Sequence, residues 1–100
     1  MARNLEAVAS VAKSLGDANR LRILTSISKG KKSVSHIVEE LQLSQPLVSH
    51  HLKELKRARL VTVERKGPFV YYQLTDPRIT ELLDSLEQLT DDLLLKRSVF

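Results

Sequence analysis

The stretch Leu41-Gln42-Leu43-Ser44-Gln45-Pro46-Leu47-Val48-Ser49-His50-His51-Leu52-Lys53-Glu54-Leu55 constrains this chain most, because it reads as a tight turn followed by an amphipathic helix. Ser44 suits the N-cap, where its hydroxyl can accept from an orphaned first-turn amide. Pro46 falls in that first turn, where its missing N–H costs nothing. Val48, Leu52 and Leu55 recur at spacings of four and three and make one face apolar. The other face carries Gln45, Ser49, His50 and Lys53, which are hydrogen-bonding groups rather than a block of like charge. Such a face suits base edges and phosphates. It also suits an ordinary solvated helix, so the flanking segments must decide.

Upstream, Leu5, Val8, Ala9, Ala12 and Leu15 give a helix over residues 4–15 that stops at Gly16. Asp17 caps a second helix over 18–29, with Leu21, Leu24 and Ile27 inward and Arg20 and Arg22 more exposed. Gly30 ends it, and Lys29, Lys31 and Lys32 form either a solvated end or a phosphate contact. Ser33 caps a short helix to Gln42, with Ile37, Val38 and Leu41 inward. His36 stands where the acid of a capping box would be. With the helix to Ala58, these segments predict a helix-turn-helix over 33–58.

Downstream, Val61-Thr62-Val63-Glu64-Arg65 and Phe69-Val70-Tyr71-Tyr72-Gln73-Leu74 alternate as strands around Lys66-Gly67-Pro68. This hairpin, 61–74, is a wing whose tip presents Arg65 and Lys66. Tyr71 and Tyr72 point to opposite faces, so one belongs to the core and the other is partly exposed. Asp76 and Pro77 open a last helix over 77–96. Its Ile79, Leu82, Leu83, Leu86, Leu89, Leu93 and Leu94 form a seam broad enough to need a partner. The first and last helices are read as a dimerisation layer, with a cap on the chain's own core as the alternative. The fold class is mainly α with a small β-hairpin, in one domain spanning 1–100.

Composition narrows the function. The chain has 100 residues, a net charge of +4 and no cysteine, which removes disulfides, thiolate nucleophiles and thiolate metal sites. Its three glycines include no phosphate-cradling loop. No catalytic constellation, cofactor site or metal site is read, and adjacent His50 and His51 diverge by ~100° around their helix, too far to chelate one ion well. No apolar run approaches the ~20 residues of a membrane span, and Met1-Ala2-Arg3-Asn4-Leu5-Glu6 lacks the apolar core of a signal peptide. A cytoplasmic protein without enzymatic activity is expected.

The segments Asp17-Ala18-Asn19-Arg20-Leu21-Arg22-Ile23-Leu24, Leu43 to Leu52, Leu60-Val61 and Gly67 to Leu74 together resemble the ArsR/SmtB family of bacterial and archaeal repressors. The resemblance implies a winged helix-turn-helix homodimer that binds a palindromic operator and releases it when an inducer binds. It implies an interface through the first and last helices, here Leu5, Val8, Ala12, Ile79, Leu82, Leu83, Leu86, Leu89 and Leu93. It places Gln45, Ser49, His50 and Lys53 in the major groove, with Ser44 and Arg57 near phosphates, Pro46 among the DNA-binding residues, and Arg65 and Lys66 at the minor groove or backbone. Two recognition helices would lie ~34–36 Å apart, one DNA turn. The family's metal-sensing positions depart from the pattern. Serines 33 and 35 replace cysteines, and serine is a poor ligand for soft metals. Asp76 and Asp92 remain, but Arg78 and Leu89 stand where histidines would be. The resulting reading is a DNA-binding repressor with an unread inducer. The alternative is a winged-helix protein–protein interaction module, for which an apolar or acidic face at 45–53 would be expected.

Overall fold

Asn4 opens the first helix, its Oδ1 accepting from the Ala7 amide at 3.1 Å. The structure, a computed structural model, describes residues 4–99, with side chains through residue 96. Helix α1 runs Leu5–Ser14 and α2 runs Ala18–Ile27, with Asp17 Oδ2 accepting from the Arg20 amide at 3.0 Å. Helix α3 runs Val34–Leu41, capped by Ser33, and α4 runs Gln45–Arg57, capped by Ser44 with Pro46 in its first turn.

The turn between α3 and α4 depends on Gln42, whose φ of 55° is left-handed. Its side-chain Nε2 donates to Glu39 O at 2.7 Å and fills one of the carbonyls that a helix end leaves open. Helix α4 ends differently. Leu60 N–H reaches Leu55 O and Arg59 N–H reaches Lys56 O, both at 3.0 Å, with Arg59 at φ 64°. That pattern is a Schellman motif, completed by burial of Leu55 and Leu60.

Strands β1 (Val61–Lys66) and β2 (Phe69–Leu74) pair antiparallel, with Lys66 opposite Phe69. Gly67, at φ 60°, begins the two-residue loop, a backbone geometry that glycine adopts without strain. A third, one-residue strand was not anticipated. Lys32 exchanges both backbone hydrogen bonds with Tyr72, at 3.0 and 2.8 Å, and so ties the entrance of α3 to the wing. No alternating pattern marks a strand of one residue. Tyr72 and Leu74 turn onto the core, while Tyr71 takes the opposite face.

The core is aliphatic: Ile23, Leu24 and Ile27 from α2, Ile37 from α3, Val48, Leu52 and Leu55 from α4, then Leu60, Val61 and Ile79. Two expectations for α2 change. Leu21 is only half-buried, and Ile23 with Ser26 takes its place inside. Arg20 is not an outward residue, because its Nε and Nη2 donate to Ser14 O at 2.6 Å and Lys13 O at 3.1 Å. It thereby caps the carbonyl end of α1. Helix α5 runs Arg78–Val99 and meets the core only near its start, through Ile79 and Leu83.

Candidate nucleic-acid interface

Helix α4 presents the polar face. Val48, His51, Leu52 and Leu55 are buried, which turns Gln45, Ser49, His50 and Lys53 outward as exposed side chains. None of these four makes a hydrogen bond or ion pair within the described residues, and His50 touches only the His51 ring at 5.6 Å between centroids. Their donors and acceptors face solvent. Ser44 Oγ accepts from the Leu47 amide at 3.3 Å, so its hydroxyl holds the helix start while staying at the surface. Exposed Pro46 sits beside it. Arg57, a turn beyond Lys53, is paired with Glu54 at 3.1 Å along the helix.

His51 anchors the other side of α4. It is 6% exposed, and its Nε2 lies 3.6 Å from Asp17 Oδ2. Sequence reasoning gave this histidine local packing or capping, and the structure adds a specific partner on α2. The Arg20 amide and then His51 hold the Asp17 carboxyl below its usual range. His36 is exposed on α3, with Nε2 4.0 Å from Glu40.

The cations around the wing are not equivalent. Lys66 lies 3.5 Å from Glu64, which also pairs with Lys31 at 3.0 Å. The ammonium of Lys31 stands 5.4 Å over the Tyr71 ring. Glu64 is held below the usual carboxylate range, chiefly by its hydrogen bond from Lys31. Arg65, one residue away, points to the opposite face of the strand and makes no ion pair among the described residues. The lysine cluster after α2 divides in the same way. Lys32 is half-buried and donates to Ser26 Oγ at 3.0 Å and to Glu40, an ionic link between the end of α2 and α3. Exposed Lys29 alone of the three makes no side-chain hydrogen bond or ion pair among the described residues.

The positions where the resemblance would seek a metal site are otherwise engaged. Ser33 Oγ accepts from the His36 amide at 3.2 Å, and Asp76 accepts from the Arg78 backbone amide at 2.8 Å and from its guanidinium at 2.9 Å. Asp92 accepts from Gln88 at 3.2 Å. Among the described residues no group of three histidine, cysteine, aspartate or glutamate side chains is placed to hold a metal ion.

A second surface lies on α1 and α5. Leu5, Val8 and Ala12 are exposed on α1, whose Val11 and Leu15 face the core instead. On α5, Leu82, Leu86, Leu89 and Leu93 are 43, 41, 53 and 50% exposed at spacings of four, three and four. Ile79 and Leu83 differ from the expectation of one uniform seam, since the chain's own core already covers Ile79 and half-covers Leu83. No helix of the described residues is long and apolar enough to cross a membrane.

Comparison with known proteins agrees with this geometry. An HTH-type transcriptional regulator of Methanocaldococcus jannaschii is 35% identical over 85 residues, covering 84% of this chain and 96% of that protein. The transcriptional repressor SdpR of Bacillus subtilis is 38% identical over 77 residues, covering 77% of this chain and 82% of the repressor. A solution structure of a homodimeric winged helix-turn-helix DNA-binding domain from Mycobacterium bovis, a possible ArsR-family regulator, superposes with a TM-score of 0.80 at 27% identity, covering 92% of each chain. The sequence profile described as "Bacterial regulatory protein, arsR family" matches residues 17–63, the segment from the cap of α2 into β1. With that profile, those relatives and the winged helix-turn-helix architecture, the chain belongs to the ArsR family of bacterial regulatory proteins.

Proposed function

We propose that this protein is a cytoplasmic transcriptional repressor that binds a palindromic operator as a homodimer and acts by binding, without catalysis. The observation that carries the reading is the outward face of α4, where Gln45, Ser49, His50 and Lys53 are exposed and unpartnered while the apolar side is buried. Gln45, Ser49 and His50 read base edges in the major groove, and Lys53 approaches phosphate. Ser44, Pro46 and Arg57 border the backbone at the two ends of that face, and Arg65 and Lys66 reach it from the wing. The exposed leucines of α5, together with Leu5, Val8 and Ala12, form the contact between protomers. In this division the helix-turn-helix spans 33–58, the wing 61–74, and the dimerisation helices 4–15 and 77–96 of one domain. Ser33, Ser35, Arg78 and Leu89 at the family's sensing positions, in place of cysteine and histidine, support a repressor whose signal is not a transition-metal ion held there.

The test is binding to a labelled duplex carrying the DNA upstream of the protein's own gene, against a scrambled duplex, with Zn²⁺, Ni²⁺ or chelator added. Selective binding by a dimer, indifferent to metal and chelator, is expected. Equal affinity for both duplexes would move the assignment to a protein-interaction module. Release by one metal would show that histidine and carboxylate groups form a site after all.

A further inference from the structure

The wing tip carries a side chain that the fold does not use. Phe69, one of two phenylalanines in the chain, is the first residue of β2 and is 60% exposed. It packs against no part of the core. Among the described residues its one ring neighbour is Tyr71, 6.3 Å away between centroids on the same face of the hairpin. Two residues before it, Gly67 has open space where a Cβ would point.

The surroundings of Phe69 are cationic and held in place. Lys66 is its cross-strand partner, and Arg65 lies one step away opposite Val70. Lys31 clamps the hairpin from the α2–α3 connection through Glu64 and the Tyr71 ring, and the Lys32–Tyr72 backbone pair fixes its root. An aromatic ring on a supported ribbon loses little conformational freedom when a partner covers it. Lys66 on the face of that ring and Arg65 on the other face of the same tip favour a polyanion over an acid-poor protein surface. Duplex DNA offers apolar surface at such a place, because sugar edges and base steps line the minor groove and accept apolar side chains there.

We propose that Phe69 is a direct DNA contact of the wing, packing on the sugar edges of the minor groove. This rests on the repressor reading above and adds a contribution of a different kind. The cations of α4 and the wing displace counterions, so their contribution falls as salt rises. An apolar contact displaces none and persists.

The experiment is fluorescence anisotropy of a labelled duplex bearing the DNA upstream of the protein's own gene, titrated with wild type, Phe69→Ala, Phe69→Leu and Arg65→Ala over a range of KCl. Phe69→Ala is expected to weaken binding about tenfold at every salt concentration, the scale of uncovering much of one phenylalanine side chain. Its slope of log K against log [KCl] should equal that of wild type. Phe69→Leu should recover most of the affinity. Arg65→Ala should instead flatten the slope by about 1.8, the contribution of one phosphate from each protomer of the dimer. Thermal midpoints of the Phe69 variants should match wild type, since so exposed a side chain contributes little to folding. Equal affinity of wild type and Phe69→Ala overturns the inference and leaves the repressor reading intact. A loss that tracks a lowered thermal midpoint overturns it in favour of a structural part. Absence of wild-type binding to either this or a scrambled duplex overturns the repressor reading, and this inference with it.

Discussion

His51 Nε2 lies 3.6 Å from Asp17 Oδ2, so the helix that carries the polar face is fastened at its back to the N-cap of α2. The same carboxylate accepts from the Arg20 amide at 3.0 Å, and one aspartate therefore starts one helix and orients another. His50, its neighbour in sequence, points outward. The His50-His51 pair thus divides into one group for a partner and one for the fold.

The first prediction concerns acid. Asp17, Glu40, Glu64 and Asp76 are all held below their ordinary values by hydrogen bonds from Arg20, Lys32, Lys31 and Arg78 respectively. Depressed carboxyl values in the folded state contribute stability that is present above the unfolded values, about 4, and lost as pH falls through the folded ones. Urea midpoints should therefore decline below about pH 4. Asp17→Asn keeps a good cap but no charge, so its decline should be shallower than that of wild type. An identical pH profile would show that the Asp17 charge does not matter.

Arg59 occupies a left-handed position that glycine adopts without strain. Arg59→Gly should stabilise the fold by about 0.5–1 kcal/mol, read as a higher urea midpoint at unchanged slope. A lower midpoint would mean that the arginine side chain does more than pass through the turn.

Base reading and phosphate contact should separate. Ser49→Ala and His50→Ala should each reduce discrimination between operator and scrambled DNA by about 1–3 kcal/mol. Lys53→Ala should weaken both duplexes alike and flatten the salt slope. If neither Ser49→Ala nor His50→Ala alters discrimination, α4 is not the reading helix.

Glu64 places a negative charge between Lys31 and Lys66. Glu64→Gln should release both lysines toward phosphate, tightening non-specific binding and steepening its salt dependence. Weaker binding would instead show that the clamp on the wing matters more than the charge it neutralises.

Leu86 and Leu89 lie outward on α5, and Ile79 lies inward. Leu89→Glu should yield a folded monomer by sedimentation, with operator affinity sharply reduced. Ile79→Ala should lower stability by about 2–5 kcal/mol, as for a large-to-small core change. A Leu89→Glu protein that remains dimeric would place the interface elsewhere.

Much of the architecture was legible because its signals are local. Ser33, Ser44 and Asp17 each precede an apolar period and each caps the helix expected of it. Gly67-Pro68 between alternating runs marked the hairpin. What escaped depends on distance in sequence. The Lys32–Tyr72 pairing joins residues 40 positions apart, and the fate of Lys31 and Lys32 was set by Glu64 and Glu40 rather than by their neighbours. Arg20 looked like a surface residue because its partners are carbonyls, which every residue has. The site followed the same division. The outward face of α4 could be read from its period, but the inequality of Arg65 and Lys66 required knowing which face of the strand Glu64 shares.

Helix α5 leaves its own core after Leu83 with a row of leucines still uncovered. In the homodimer proposed above, those residues are covered only when a second chain arrives, so association supplies part of each protomer's stability. Occupancy of an operator would then rise with the square of the protomer concentration at low abundance. A gene under such control stays nearly open while the chain is scarce and closes over a narrower range of protomer concentration than a monomer would give.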